Sequence, residues 1–182
     1  MMLSTHILTG GCLGLIYSLF TGDTQALLVF IGMISSVFPD MDFFLDHRKT
    51  LHRPLEYSIL GLFAAGFYSL SHVNALLLVS LILVSMGLHS FSEIFSEPRS
   101  LDGKGSKAVF NHLNGRWMEA QEWTEVGSLR DFLLTCFRAI PLFLVQNIFI
   151  RGFTFLMVAY GVVHYLLNEL FREKLSDRDL GK

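Results

Sequence analysis

The side chains able to do chemistry sit in a few short stretches. Pro39-Asp40-Met41-Asp42 follows an apolar run and leads into His47-Arg48 and His52-Arg53. His6, His89 and Glu93 stand at the starts or ends of other apolar runs. His89 and Glu93 are four residues apart, so on a helix they share a face. That spacing is how HExxH proteins present ligands to a metal. Asp-x-Asp does not face one way on a helix, but past Pro39 the chain can leave helical geometry and the two carboxylates can converge. Mixed His and carboxylate ligands suit Zn, Mn or Fe better than Ca. A divalent ion so held acidifies water and polarises an ester or phosphoryl oxygen. A carboxylate left off the metal can serve as general base.

The expected roles follow. Asp40, His52, His89 and Glu93 are metal ligands, and Asp42 is either ligand or base. His6 and His47 are outer metal candidates. Arg48 or Arg53 holds an anionic group of a substrate. Each residue also has a plainer reading. His6 can cap a helix, and the aspartates can pair with Arg48 or Arg53. His47 can be a solvated loop residue, and His89–Glu93 can be a hydrogen-bonded pair between helices. His72 reads as loop, His112 as an interfacial side chain, and His164 as a buried histidine that finds a hydroxyl or carbonyl.

The elements that must position these groups are apolar. Of the 182 residues, 52% are hydrophobic and 16% charged, with a mean hydropathy of +0.48. Soluble domains average about 45–50% apolar and about 25% charged, so the chain belongs to the membrane class. Its length suits one domain over 1–182. No basic arm suggests nucleic acid. Cys12 and Cys136 lie in apolar runs without a CxxC spacing and read as small buried hydrophobes. No Lys or Arg precedes the first apolar run, so the first helix is expected to be retained rather than cleaved as a signal.

Apolar segments are expected at 3–20, 24–38, 55–70 and 73–95, the first three near the short limit of about 17 residues for a span. Gly10 and Gly14, and Gly61 and Ala65, have the spacing that lets membrane helices approach closely. A polar segment follows over 96–130. Within it Val109, Phe110, Leu113 and Trp117 recur at helical spacing, and an amphipathic interfacial helix is expected over 108–122. The alternative is a small soluble cap. Two more apolar helices are expected over 129–145 and 151–171, before a polar tail over 172–182. Arg138, inside the first, either snorkels or pairs, or contacts a substrate anion. The expectation is therefore an all-α polytopic membrane bundle of about six hydrophobic helices. Residues 1–95 form a four-helix metal-site core, 96–130 an interfacial segment, and 131–171 two C-terminal helices.

With six spans, twelve of the 14 Lys and Arg residues fall on one side and only Arg151 on the other. The positive-inside rule makes the first side cytoplasmic. His6, Asp40, Asp42, His47, His52, His89 and Glu93 all fall at that same side. Helix topology alone then brings them to one membrane level. Asp40, Asp42 and Glu93 stand at helix C-terminal ends, where the dipole disfavours anions, so they call for a cation.

These residues resemble the YdjM-type membrane-bound metal-dependent hydrolases. Thr5-His6, Pro39-Asp40-Met41-Asp42 and His47-Arg48 match that family's pattern directly. Leu51-His52-Arg53 stands where the family has Thr-His-Ser, and His89-Ser90-Phe91-Ser92-Glu93 has Glu for the family's Asp. The stretch from Ala108 to Trp117 is similar to longer archaeal members. The resemblance implies a helical membrane protein, a bound metal and a hydrolase. The expected function is a membrane hydrolase, in the plasma membrane with its site and C-terminus cytoplasmic, acting on an amphiphilic ester, phosphoester or amide. Two rivals stand beside it. One is a transporter or ion-handling protein, although such sites lie near the bilayer midplane and in repeats. The other is a scaffold whose metal only clamps helices.

Overall fold

The computed structural model of the chain describes residues 1–22, 25–44, 48–96 and 107–180, with 43–44 and 173–180 given by backbone alone. It is mostly helical, with six α-helices: α1 (Leu3–Thr21), α2 (Gln25–Ser35), α3 (Pro54–Ser71), α4 (Asn74–Ser92), α5 (Leu129–Leu144) and α6 (Ile148–Leu180). A 3₁₀ segment, Phe38–Phe44, continues α2, and a short one, Glu93–Phe95, continues α4. Four helical segments are long and apolar enough to cross a membrane: Leu3–Thr21, Gln25–Asp42, Asn74–Phe95 and Ile148–Arg172. The other two are not. α5 has only 16 residues and carries Arg130, Asp131 and Arg138, while α3 carries Glu56 and several hydroxyls. Both still turn large apolar side chains outward, among them Leu62, Phe63 and Phe67 on α3 and Phe137 and Leu144 on α5. Exposed apolar surface on that scale asks for a non-aqueous cover.

Small residues set the helix spacing. A Cβ on Gly10 would lie 2.0 Å from the Gly32 carbonyl oxygen, and one on Gly14 would lie 2.2 Å from that of Leu28. The α1 and α2 backbones therefore touch, which only glycine at these points allows. Gly61 performs the same task for α3 against Val84 of α4. Around the α1–α2 seam, Leu8, Val29 and Met33 pack with Leu142 of α5 and Ile150 of α6 into the apolar core.

The segment after α4 differs from expectation. In place of an amphipathic helix over 108–122, β1 (Lys107–Asn111) pairs antiparallel with β2 (Arg116–Glu119), Val109 opposite Met118 and Phe110 opposite Trp117. The fold is thus not all-α in the strict sense. The local cause is the turn. Asn111 and Asn114 accept Leu113 N and Arg116 N on their side-chain oxygens, and Gly115 adopts φ +66°. Asn-Gly of this kind closes hairpins, and the β-branched and aromatic neighbours favour strands. Of the residues that mimic helical spacing, Phe110 and Trp117 are cross-strand partners, Val109 faces Met118, and Leu113 lies in the turn. The hairpin clamps the loop before α3: Phe110 N donates to the Arg48 carbonyl at 3.0 Å, and the His112 ring meets the Lys49 carbonyl.

Candidate metal centre

The centre forms where the start of α1, the end of α2, the loop before α3 and the end of α4 meet. After Ser35 the chain tightens into 3₁₀ geometry, with Asp40 N donating to the Val37 carbonyl at 3.0 Å. At about three residues per turn, Asp40 and Asp42 point in different directions. They use that divergence to bracket one imidazole. Asp42 Oδ2 meets His52 Nδ1 at 3.0 Å and also accepts Leu51 N at 3.1 Å, while Asp40 Oδ1 lies 3.6 Å from His52 Nε2.

His89 closes the triangle. Its Nε2 lies 3.2 Å from Asp40 Oδ1 and 3.2 Å from His52 Nε2. Ligand atoms about 2.0–2.1 Å from a tetrahedral ion sit about 3.3 Å apart, so the three observed separations fit a shared divalent cation. The tautomer fits as well. A carboxylate only accepts, so His52 donates from Nδ1 to Asp42 and keeps its Nε2 lone pair for the ion. Such a carboxylate behind a ligating histidine is the usual way to fix ring and basicity. Burial pulls the His52 pKa down, but the two aspartates outweigh it and hold the ring above its ordinary value. A proton and a metal therefore compete for the same nitrogen. His89 Nδ1 is buried and has no hydrogen-bond partner among the described residues. His52, His89 and Asp42 are buried, whereas the Asp40 side chain is 33% exposed and opens the centre on one side.

A second group lies against the first. His6, His89 and Glu93 also bring ligand-type atoms together, and the His6 and His89 ring centroids are 4.0 Å apart. Glu93, however, is already saturated. Its Oε1 meets His6 Nε2 at 2.9 Å and the Met1 nitrogen at 3.3 Å, and its Oε2 accepts Ser96 Oγ at 3.0 Å and pairs with Arg48. A divalent ion there would have to displace cations already in place. Among the described residues no Lys or Arg pairs with Asp40, so the Asp40–His52–His89 group is the better candidate for a metal.

Of the residues singled out from the sequence, Asp40, Asp42, His52 and His89 come together directly, with His6, Glu93 and Arg48 beside them. Arg53 does not join them; it is exposed and donates to the Thr50 carbonyl. His47 lies outside the described residues. His72 caps α3 at the far end. His164 faces Gly127, and among the described residues its Nδ1 finds neither the hydroxyl nor the carbonyl expected for it. Three supporting residues escaped the sequence reading. Ser92 and Ser96, each three residues after His89 or Glu93, place hydroxyls on His6 Nδ1 and Glu93 Oε2. Asp131 ties α1 to α5 by accepting Met2 N and Thr5 Oγ1, both at 2.6 Å. Its local signal was Ser128-x-x-Asp131, a helix-start pattern whose Ser128 Oγ accepts Asp131 N.

Comparison of the chain with family models, with curated proteins and with solved structures finds no match. The reading of the site rests on its own geometry.

Proposed function

We propose that the protein is a membrane-embedded, metal-dependent hydrolase of an amphiphilic ester, phosphoester or amide. The observation that carries this reading is the mutual approach of Asp40 Oδ1, His52 Nε2 and His89 Nε2 within 3.2–3.6 Å. The Pro-Asp-x-Asp and Thr-His motifs shared with the YdjM-type hydrolases point the same way. A divalent ion held there would supply Lewis acidity and a lowered water pKa. Asp42 holds His52 in the ligating tautomer. Asp40, the exposed member, leaves the centre open on one side, where a substrate can approach. Arg48, anchored on Glu93, places positive charge next to the centre and favours an anionic substrate group.

With α3 and α5 counted as crossings beside the four long apolar segments, the Lys and Arg distribution supports a plasma-membrane protein with the centre on the cytoplasmic side. The rival reading, a structural clamp, draws on the burial of His52 and His89, because structural sites are closed. The exposure of Asp40 favours an open, reactive site. Detergent-purified protein should hydrolyse lipid esters, phosphoesters or amides, lose that activity to a chelator and regain it with Zn, Mn or Fe. Metal-loaded protein that turns over none of these substrates would leave only the clamp.

A further inference from the structure

A cavity of about 610 Å³ lies between α1, α4, α5 and the segment after β2. Leu88, Phe91, Phe95 and Trp123 make its wall apolar, and Arg138 is its one charged side chain; Met1 also lines it, its nitrogen already paired with Glu93. Arg138 arises from the second half of α5, and its guanidinium reaches the first turn of α1, where Nη1 donates to the Thr5 carbonyl at 3.3 Å. That is its one side-chain hydrogen bond among the described residues, although a guanidinium has five donors. Asp131, two turns earlier on the same face, gives its oxygens to Met2 N, Thr5 Oγ1 and Gly127 N. No carboxylate among the described residues forms an ion pair with Arg138. Asp131 acts on Arg138 only at a distance, and a cation in an apolar wall with no carboxylate in contact is costly. An oxyanion on a ligand would complete it with paired, charge-assisted hydrogen bonds.

We propose that this cavity binds a single-chain anionic amphiphile, its oxyanion on Arg138 and its chain against Leu88, Phe91, Phe95 and Trp123. The volume falls within the range of about 300–1,000 Å³ usual for small-molecule sites, enough for one chain and its headgroup. Trp123, half exposed, is the residue type that marks the headgroup level. The cavity also adjoins the metal centre. Ser92 lines it, and the Ser92 hydroxyl lies 3.2 Å from Nδ1 of His6, whose ring packs on His89. As a substrate site the cavity rests on the hydrolase reading. As a binding site it does not, and the experiment reads binding.

The full chain carrying Trp117→Phe, in an uncharged maltoside detergent, leaves Trp123 as the fluorescent reporter. Dibrominated stearate, dibrominated lysophosphatidate and an uncharged dibrominated monoacylglycerol are titrated as quenchers. Both anions should quench saturably, with midpoints about tenfold below that of the neutral probe. The order of the two anions tells a carboxylate from a phosphate headgroup. Arg138→Gln should raise the anionic midpoints to the neutral value, and Arg138→Lys should recover part of the difference. Equal midpoints for charged and neutral probes, or no effect of Arg138→Gln, would mean nonspecific lipid contact and overturn the proposal. Should Arg138→Gln not fold, the comparison of probes on the Arg138 protein still decides. Asp40→Ala should leave quenching unchanged. Binding without turnover then removes the hydrolase reading alone, whereas turnover without anion-selective quenching removes this one.

Discussion

Two polar networks share His89, and they are built on opposite principles. Around Glu93 the charges are matched: Arg48, His6, the Met1 nitrogen and the Ser96 hydroxyl surround two carboxylate oxygens. Around Asp40 they converge without closing: two ring nitrogens and one oxygen face a common point, and the His52 proton is already given to Asp42. The first arrangement is complete as it stands and ties α1, the Arg48 loop and α4 together. The second is a group that a cation would complete. Residues of the same kinds, a few ångströms apart, can thus be scaffold or site, and hydrogen-bond saturation tells them apart.

Removing His89 opens the Asp40 network and takes away the ring that packs on His6. His89→Ala should abolish metal binding and cost about 3–5 kcal/mol, the usual penalty for stripping a partner from buried charged groups. Denaturant unfolding in detergent with parallel elemental analysis checks both. Glu93→Gln separates the networks. It takes the carboxylate charge away from Arg48 and the Met1 nitrogen and should cost about 3 kcal/mol while the purified protein keeps its metal. Loss of metal in Glu93→Gln would move the ion into the His6–His89–Glu93 group.

The convergence of these groups was legible in the sequence because each sits at an end of an apolar run, and the ends fall on one side. The partnerships were not. Asp42 and Asp40 look equivalent on paper, and only the 3₁₀ path of Phe38–Phe44 assigns one behind His52 and the other in front. Arg48 reaches Glu93 across more than forty residues, with no local pattern to announce it. Arg48 and Arg53 were equivalent expectations until the hairpin fixed the Arg48 carbonyl and left Arg53 in solvent. The hairpin itself was misread because Val109, Phe110, Leu113 and Trp117 satisfy a helical spacing, while the Asn114-Gly115 turn carried the contrary signal. That four segments rather than six have the length and apolarity of a crossing follows from the same kind of detail. α3 and α5 are apolar on their outer faces, but α5 has 16 residues with Arg130, Asp131 and Arg138 among them, and α3 carries Glu56 and several hydroxyls.

Smaller changes sharpen the contrast. Asp42→Asn keeps the shape but frees His52 to take the wrong tautomer, so metal affinity should fall about 10–100-fold, read by competition with a chromogenic chelator. Stability should change much less than in His89→Ala. Arg53→Ala should change neither metal content nor melting temperature, because its side chain is exposed and lies apart from both networks. A clear loss in either would return Arg53 to the site.

The central claim is that Asp40, His52 and His89 hold one ion in common. Elemental analysis of the detergent-purified natural chain beside Asp40→Ala tests it most directly. The account predicts about one equivalent of Zn, Mn or Fe in the natural chain and a near-complete loss in Asp40→Ala, with the variant still folded. A folded natural chain with no transition metal, or equal metal in both proteins, would contradict it.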